Sequence, residues 1–181
     1  QKFPLLLGIL KREPWERILI FVNTKRQGEV LEQRLTRQGY TVRAITGDIP
    51  QKQRLRIMEQ FKSKSLPILV ATDVASRGLH IEDVSHVINY DLPQDPKDYV
   101  HRIGRTARAG ATGKALSLAC ENFVYSLEEI ENLIGHKIPV VWAADEMFVK
   151  PLPYKSETHK KKDWSKPHQP RPHMRTSRKR F

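Results

Sequence analysis

The sequence predicts an α/β protein: a three-layer α/β/α sandwich with a mainly parallel sheet, followed by a basic tail that does not pack. Three observations carry that prediction. Apolar runs of strand length alternate with longer stretches of helical period, the pattern of successive βαβ units. The strand runs are rich in Val, Ile and Leu with little alternation, as expected when helices cover both faces of a sheet. Charge is also unevenly spread over the 181 residues. Of the formal +12, residues 151–181 hold 10 Lys+Arg against 2 Asp+Glu, or +8, while residues 1–150 hold 22 against 18, or +4.

The elements follow in order. A leading helix over Phe3–Lys11 precedes a first strand at Ile18–Val22. Thr24–Gln38 reads as a helix with a Gln27, Leu31, Leu35 stripe, stopped by Gly39 as a C-terminal glycine cap. A second strand, Thr41–Ile45, leads into a helix over Pro50–Phe61, with Pro50 at its first position and Leu55, Met58 and Phe61 on one face. Strands at Ile68–Ala71 and His86–Tyr90 come next. Asp95-Pro96, an N-cap followed by proline, opens a helix expected to run through several arginines to Gly110. A strand at Ala115–Ala119 and a helix at Phe123–Ile134 complete the domain, taken as residues 1–150. Residues 151–181 carry five prolines and ten basic residues without sustained period, so they bury too little apolar surface to offset the entropy of ordering.

Composition excludes several classes. The single cysteine, Cys120, cannot form an internal disulfide, and no histidines stand at zinc-ligand spacing near it. No metal is expected to bind this chain. No uncharged run approaches the ~20 residues of a membrane span, so a cytoplasmic protein with no membrane partner is expected. His86 reads as buried in its strand, Cys120 as a small buried hydrophobe, and Trp15 and Trp142 as packing residues.

Three clusters carry chemistry. In His101-Arg102-Ile103-Gly104-Arg105-Thr106-Ala107-Arg108, arginines recur every third position of the expected helix. Such a like-charge row costs a few tenths of a kcal/mol per pair unless an anion lies alongside. Guanidinium groups bind phosphate oxygens through paired hydrogen bonds, although spacing alone leaves a solvated basic face as the alternative. The second cluster, residues 71–80, includes Thr72, Asp73, Arg77, Gly78 and His80 and follows a strand, where ligands of open α/β sheets gather. The third, Thr46-Gly47-Asp48-Ile49-Pro50-Gln51-Lys52-Gln53-Arg54, places a helix N-terminus and Arg54 after another strand.

Taken in this order, the clusters resemble the second RecA-like domain of DEAD-box RNA helicases over residues 1–150. Phe21-Val22-Asn23-Thr24-Lys25 resembles motif IV, Gln51 with Arg54 the Q-x-x-R element, Ala71–Ile81 motif V, and His101–Arg108 motif VI. His80 stands where most members carry aspartate. With Ser117-Leu118-Ala119-Cys120-Glu121 and Gly135-His136-Lys137-Ile138-Pro139, it is similar to the bacterial RhlB branch. Neither G-x-x-x-x-G-K-[ST] nor D-E-A-D occurs here. The resemblance therefore implies the C-terminal half of an ATP-dependent RNA helicase. ATP with Mg2+ would be held mainly by an N-terminal RecA-like domain of the same protein, and this chain alone would be inactive.

The resemblance also implies roles. Arg105 and Arg108 would be the catalytic arginine fingers on the γ-phosphate, with His80 beside the ATP ribose. Asn23, Thr24, Gly47, Gln51, Arg54, Thr72 and Gly78 would contact RNA, and Arg77, His101 and Arg102 would couple the two domains. An aspartate-to-histidine exchange at residue 80 would alter ribose recognition, and Ala107 replaces a usual glycine. In the RhlB branch this domain docks on the scaffold of a degradosome endoribonuclease, which implies a role in RNA degradation. The candidate docking segment is Phe123–Ile138 with its flanks.

Overall fold

The computed structural model describes residues 1–79, 81–82, 84–106, 113–120 and 125–154. Five strands form one sheet: β1 (Ile18–Phe21), β2 (Val42–Ile45), β3 (Ile68–Ala71), β4 (His86–Asn89) and β5 (Lys114–Ser117). Their order is β2-β3-β1-β4-β5, and every pair is parallel. The central strands β1, β3 and β4 are buried at all four positions, which is why they read as unbroken apolar runs.

Alternate strand residues face opposite layers. Ile18, Ile20, Val42, Ile68, Val70 and Ile88 pack with Phe3, Leu6, Leu7 and Leu10 of α1 (Lys2–Arg12) and Leu31 and Leu35 of α2 (Lys25–Arg37). Leu19, Phe21, Ile45, Leu69 and Val87 pack with Ile57, Met58 and Phe61 of α3 (Gln51–Lys62). Each fully buried Leu, Ile or Phe side chain contributes ~1.5–3 kcal/mol, so the two apolar layers are the main source of stability. A third cluster joins Tyr99 of α5 (Pro96–Ile103) to Ile130 of α6 (Tyr125–Ile134) through Leu92. The expected α/β/α sandwich is the observed fold.

Local signals decide the ends. Thr24 caps α2 by accepting from the Gln27 amide at 3.2 Å, an interaction worth ~1 kcal/mol. At the other end Gly39 takes φ +88, its amide bonds to Thr36 O at 2.9 Å, and the Tyr40 amide bonds to Leu35 O at 3.1 Å. That is a Schellman closure, which only glycine adopts without strain. Asp95 caps α5 from Lys97 N at 2.9 Å with Pro96 at its first position, as the sequence predicts.

Other expectations need correction. Pro50 is the residue before α3, extended at ψ 142, so the helix starts at Gln51. Leu55 is 55% exposed; the inward arc of α3 holds Arg54, Ile57, Met58 and Phe61, and Leu55 lies off it. The helix through the arginines ends at Ile103, with Gly104 as its C-cap, so Arg105 is outside it and no helical row of three arginines forms. Residues 73–76, to which the sequence pattern assigns no element, form the short helix α4 (Asp73–Ser76). Trp15 does pack, donating to Leu10 O at 2.8 Å, but Trp142 is 89% exposed. His86 is buried as expected, whereas Cys120 is only half-buried.

After α6 the chain returns along α1. A 3-10 turn at Asp145–Met147 lies against Gly8, where a β-carbon would fall 1.8 Å from Met147 O. The Val149 amide then bonds to Pro4 O at 3.0 Å. Residues 151–154, the first of the expected arm, still touch α2, with Leu152 N donating to Gln38 Oε1 at 3.2 Å.

Candidate functional site

Because the strands all run one way, their exits lie along one edge of the sheet. Ile45, Ala71, Phe21, Asn89 and Ser117 stand in a single register row there. Ligands of open α/β sheets bind outside that edge. The polar loops after β1, β2, β3 and β4 therefore meet.

Arg102 holds them together. Its side chain is 1% exposed, and all five guanidinium hydrogens have partners. Nε and Nη2 donate to the two carboxylate oxygens of Asp73 at 2.7 and 2.6 Å. Nη1 donates to Asn89 Oδ1 at 3.2 Å and Asp91 O at 2.7 Å, and Nη2 also to Asn23 Oδ1 at 3.0 Å. Its carbon centre lies 5.0 Å from the Phe21 ring centroid. The anion expected beside the arginines is thus, for Arg102, the internal carboxylate of Asp73. A buried charge persists only when paired and hydrogen-bonded in this way.

Asn23 is equally committed. Its amide nitrogen donates to Leu92 O at 2.8 Å and its backbone N–H to Asp91 Oδ2 at 3.3 Å. Asp91 in turn accepts from Lys2 Nζ at 2.9 Å, tying α1 to the same loop. Burial pushes the neighbouring Tyr90 phenol, and that of Tyr99, above the ordinary range, so both remain neutral donors.

Arg54 fastens the second and third clusters to each other. Its guanidinium donates to Thr46 O at 3.1 Å and Ala75 O at 2.9 Å, tying the loop bearing Gly47 to α4. Thr72 caps α4 by accepting from Ala75 N at 3.4 Å. Gly78 adopts φ +75 with open space where a side chain would be. Gln51 is exposed at the first turn of α3, and Gly47 has nothing within 4 Å of its missing β-carbon. Thr24 stays within its own helix cap, with Oγ1 also donating to Gln27 Oε1 at 2.9 Å.

Arg105 has a different environment from Arg102. It is half-buried beside the loop that carries Gly78, and Nη1 donates to Leu79 O at 3.3 Å. Arg77 donates to Asp98 Oδ1 at 3.1 Å, and His101 Nδ1 lies 4.0 Å from the same oxygen. His80 and Arg108, with Ala107, lie outside the described residues.

Three residues that organise the site lie outside the sequence clusters, Asn89, Asp91 and Asp98, while Asp73 lies in the second cluster without an assigned role. Asp98 had a readable signal, being three residues before His101 on one helix. Asn89 had another, an amide ending a buried apolar strand.

The fold and these loops together define a RecA-like α/β domain whose sheet edge gathers polar and cationic groups. Residues 1–110 match the family described as helicase conserved C-terminal domain. The chain is 48% identical over 180 residues to the ATP-dependent RNA helicase RhlB of Shewanella piezotolerans, which covers 99% of this chain and 39% of that protein. It is 50% identical over 161 residues to RhlB of Shewanella baltica strain OS155, covering 89% and 37%. Among solved structures, it is similar to the E. coli DEAD-box protein SrmB bound to regulator of ribonuclease activity A, with TM-score 0.73, 34% identity and coverage of 85% of this chain and 91% of that one. It is also similar to a DEAD box protein from Methanococcus jannaschii, with TM-score 0.70, 43% identity and coverage of 75% and 37%. The chain belongs to the helicase conserved C-terminal domain family, in its DEAD-box, RhlB-like group. It spans about two fifths of the length of the curated relatives it matches.

Proposed function

We propose that the chain is the C-terminal half of an ATP-dependent RNA helicase, gripping RNA by its backbone and reaching into the ATP site of an N-terminal RecA-like domain. One observation carries the reading furthest: Arg105 has a single side-chain hydrogen bond, at 3.3 Å, among the described residues, whereas Arg102 has none of its donors to spare. Arg105 therefore fits a phosphate. ATP, with Mg2+ held mainly by the first domain, would supply the phosphoryl group transferred to water once closure has brought the two domains together. Arg105 and, by family resemblance, Arg108 place delocalised charge where the γ-phosphate becomes more negative, an effect worth ~10³–10⁵ in rate.

RNA is held by the Thr72 hydroxyl, the Gln51 amide and the backbone around Gly47 and Gly78, kept in place by Arg54. Contacts of that kind position a strand without reading its bases. Asp98 aligns Arg77 and His101, which face the partner domain and relay RNA binding to the ATP site. The test is an ATPase assay of this chain with RNA, with and without a separately prepared first domain. Turnover should require both halves, and Arg105→Ala should abolish kcat while ATP binding persists. Hydrolysis by the chain alone, or an unchanged kcat, would refute the proposal.

A second reading, compatible with the first, is a docking module for the scaffold of an endoribonuclease acting in cytoplasmic RNA degradation. It is favoured by exposed apolar residues on and after α6: Tyr125 (84%), Leu133 (48%), Val140 (64%), Val141 (79%) and Trp142 (89%). Glu131 braces the segment, accepting from Lys137 Nζ at 2.6 Å and Ile138 N at 2.9 Å; these bonds hold its carboxyl below the usual range. Among the described residues no helix is long and apolar enough to cross a membrane. Calorimetric titration with a scaffold fragment should lose affinity on Trp142→Ala; equal affinity would remove this reading.

A further inference from the structure

Between the flank of α3 and the edge strand β2 lies a groove of about 580 Å³. It is lined by Arg43, Pro50, Lys52, Gln53, Arg56 and Gln60, together with the edge of Ile57. Every polar side chain in that lining can donate a hydrogen bond, and none is acidic. Lys52 and Arg56 stand one turn apart on the helix, a like-charge pair that is unfavourable in isolation. Among the described residues neither has an acidic partner, whereas Arg43 pairs with Glu32 at 3.1 Å across the rim. α3 itself carries four basic residues against one acid, Glu59.

The groove's position gives it a role. Pro50 lines its mouth and immediately precedes Gln51, at the helix N-terminus where the RNA contacts proposed above begin. From there to Gln60 the helix rises ~15 Å. An extended strand leaving the sheet edge would enter at Pro50 and pass Lys52, then Arg56 and Arg43. We propose that this groove is a second phosphate track, binding the backbone of single-stranded RNA just outside the core site. The proposal rests on the RNA-binding reading and extends its footprint around α3 to the sheet edge at β2.

The experiment uses the full chain and poly(U) oligonucleotides, with affinity measured by fluorescence anisotropy over a salt series. Lys52→Gln with Arg56→Gln removes about two phosphate contacts, so the slope of log K against log salt should flatten by ~1.4 for a long oligonucleotide. Between 50 and 200 mM salt the affinity advantage of the unaltered chain should then shrink about seven-fold. A short oligonucleotide that fills only the core site should bind both proteins equally. The charge-preserving pair Lys52→Arg with Arg56→Lys should restore the slope, which separates charge from fold. Photocross-links from 4-thiouridine placed beyond the core site should map to the peptides containing Arg43 and Arg56. Equal slopes and no such cross-links, with RNA still bound, would overturn the groove, as would an acidic peptide that occupies it without competing with RNA. Failure of the unaltered chain to bind RNA would instead overturn the RNA-binding reading itself.

Discussion

Arg102→Met should be among the most destabilising single changes in the domain. The side chain is 1% exposed and makes five hydrogen bonds, two of them to the Asp73 carboxylate at 2.6 and 2.7 Å. Methionine fills similar space but leaves Asp73, itself 19% exposed, without its cation. It also removes donors from Asn89, Asn23 and the Asp91 carbonyl. Breaking a buried pair from one side costs ~3–5 kcal/mol. For a domain of this size each kcal/mol lowers Tm by ~2–4 °C, so a fall of ~6–20 °C is expected. Urea unfolding followed by circular dichroism should show a lower midpoint at constant m. Adding Asp73→Asn removes the stranded charge and should recover ~1–3 kcal/mol, the usual coupling of groups in contact. A loss below ~1 kcal/mol, or no recovery in the double variant, would refute the view that Arg102 is a fastener and return it to the candidates for direct phosphate binding.

Three further outcomes are expected. His86 is buried and, among the described residues, has no hydrogen-bond partner at Nε2; burial depresses its pKa below the ordinary 6.5, so the unfolded chain takes up a proton at a pH where the folded one does not. Stability should therefore fall as pH drops through 6.5 toward the folded value, and this increment should be missing in His86→Asn melts at pH 7.5 and 5.5; identical pH dependence would contradict it. Gly8→Ala drives a β-carbon into Met147 O, so the 3-10 turn must shift at a cost of ~1–3 kcal/mol; amide exchange at Val149 should accelerate, and unchanged exchange would count against the packing. Cutting after Tyr154 removes the whole +8 of the tail, which should weaken RNA binding and flatten its salt slope while sparing RNA-saturated ATP turnover in the two-domain protein; a large loss of turnover would show that the tail acts in the site.

What was legible in the sequence is what local pattern determines. The five strands, the Gly39 stop and the Asp95-Pro96 start each depend on neighbours within a few residues; all are present, the strand bounds shifting by up to two residues, most at β5, which runs Lys114–Ser117 where Ala115–Ala119 is expected. Leu55 and Arg54 show where such reading fails. The spacing puts Leu55 on one face with Met58 and Phe61, but the inward arc holds Arg54, whose guanidinium reaches the Thr46 carbonyl in a loop and the Ala75 carbonyl in α4. Arg102 fails for a larger reason: its partner Asp73 is 29 residues away, and no periodicity along one helix can report a contact across the sheet edge. Trp142, expected as a packing residue near the end of the fold, is instead 89% exposed, because among the described residues no periodic element surrounds it to bury an indole.

These distances change what a motif assignment means. Arg54, Arg102 and Arg105 are the same residue type in elements that the family resemblance treats as functional, yet burial and partners separate them. Two serve as fasteners between segments, and among the described residues Arg105 makes a single side-chain hydrogen bond. Loss of RNA binding in Arg54→Ala is consequently no measure of a phosphate contact, because freeing the Thr46 and Ala75 carbonyls also frees the loops that bear Gly47 and Thr72. The two causes separate by salt. Loss of a phosphate contact lowers the slope of log K against log salt by ~0.7 for a single strand, while loosened loops reduce affinity by the same factor at every salt concentration. For Arg54→Ala the network predicts the second behaviour, with the slope unchanged.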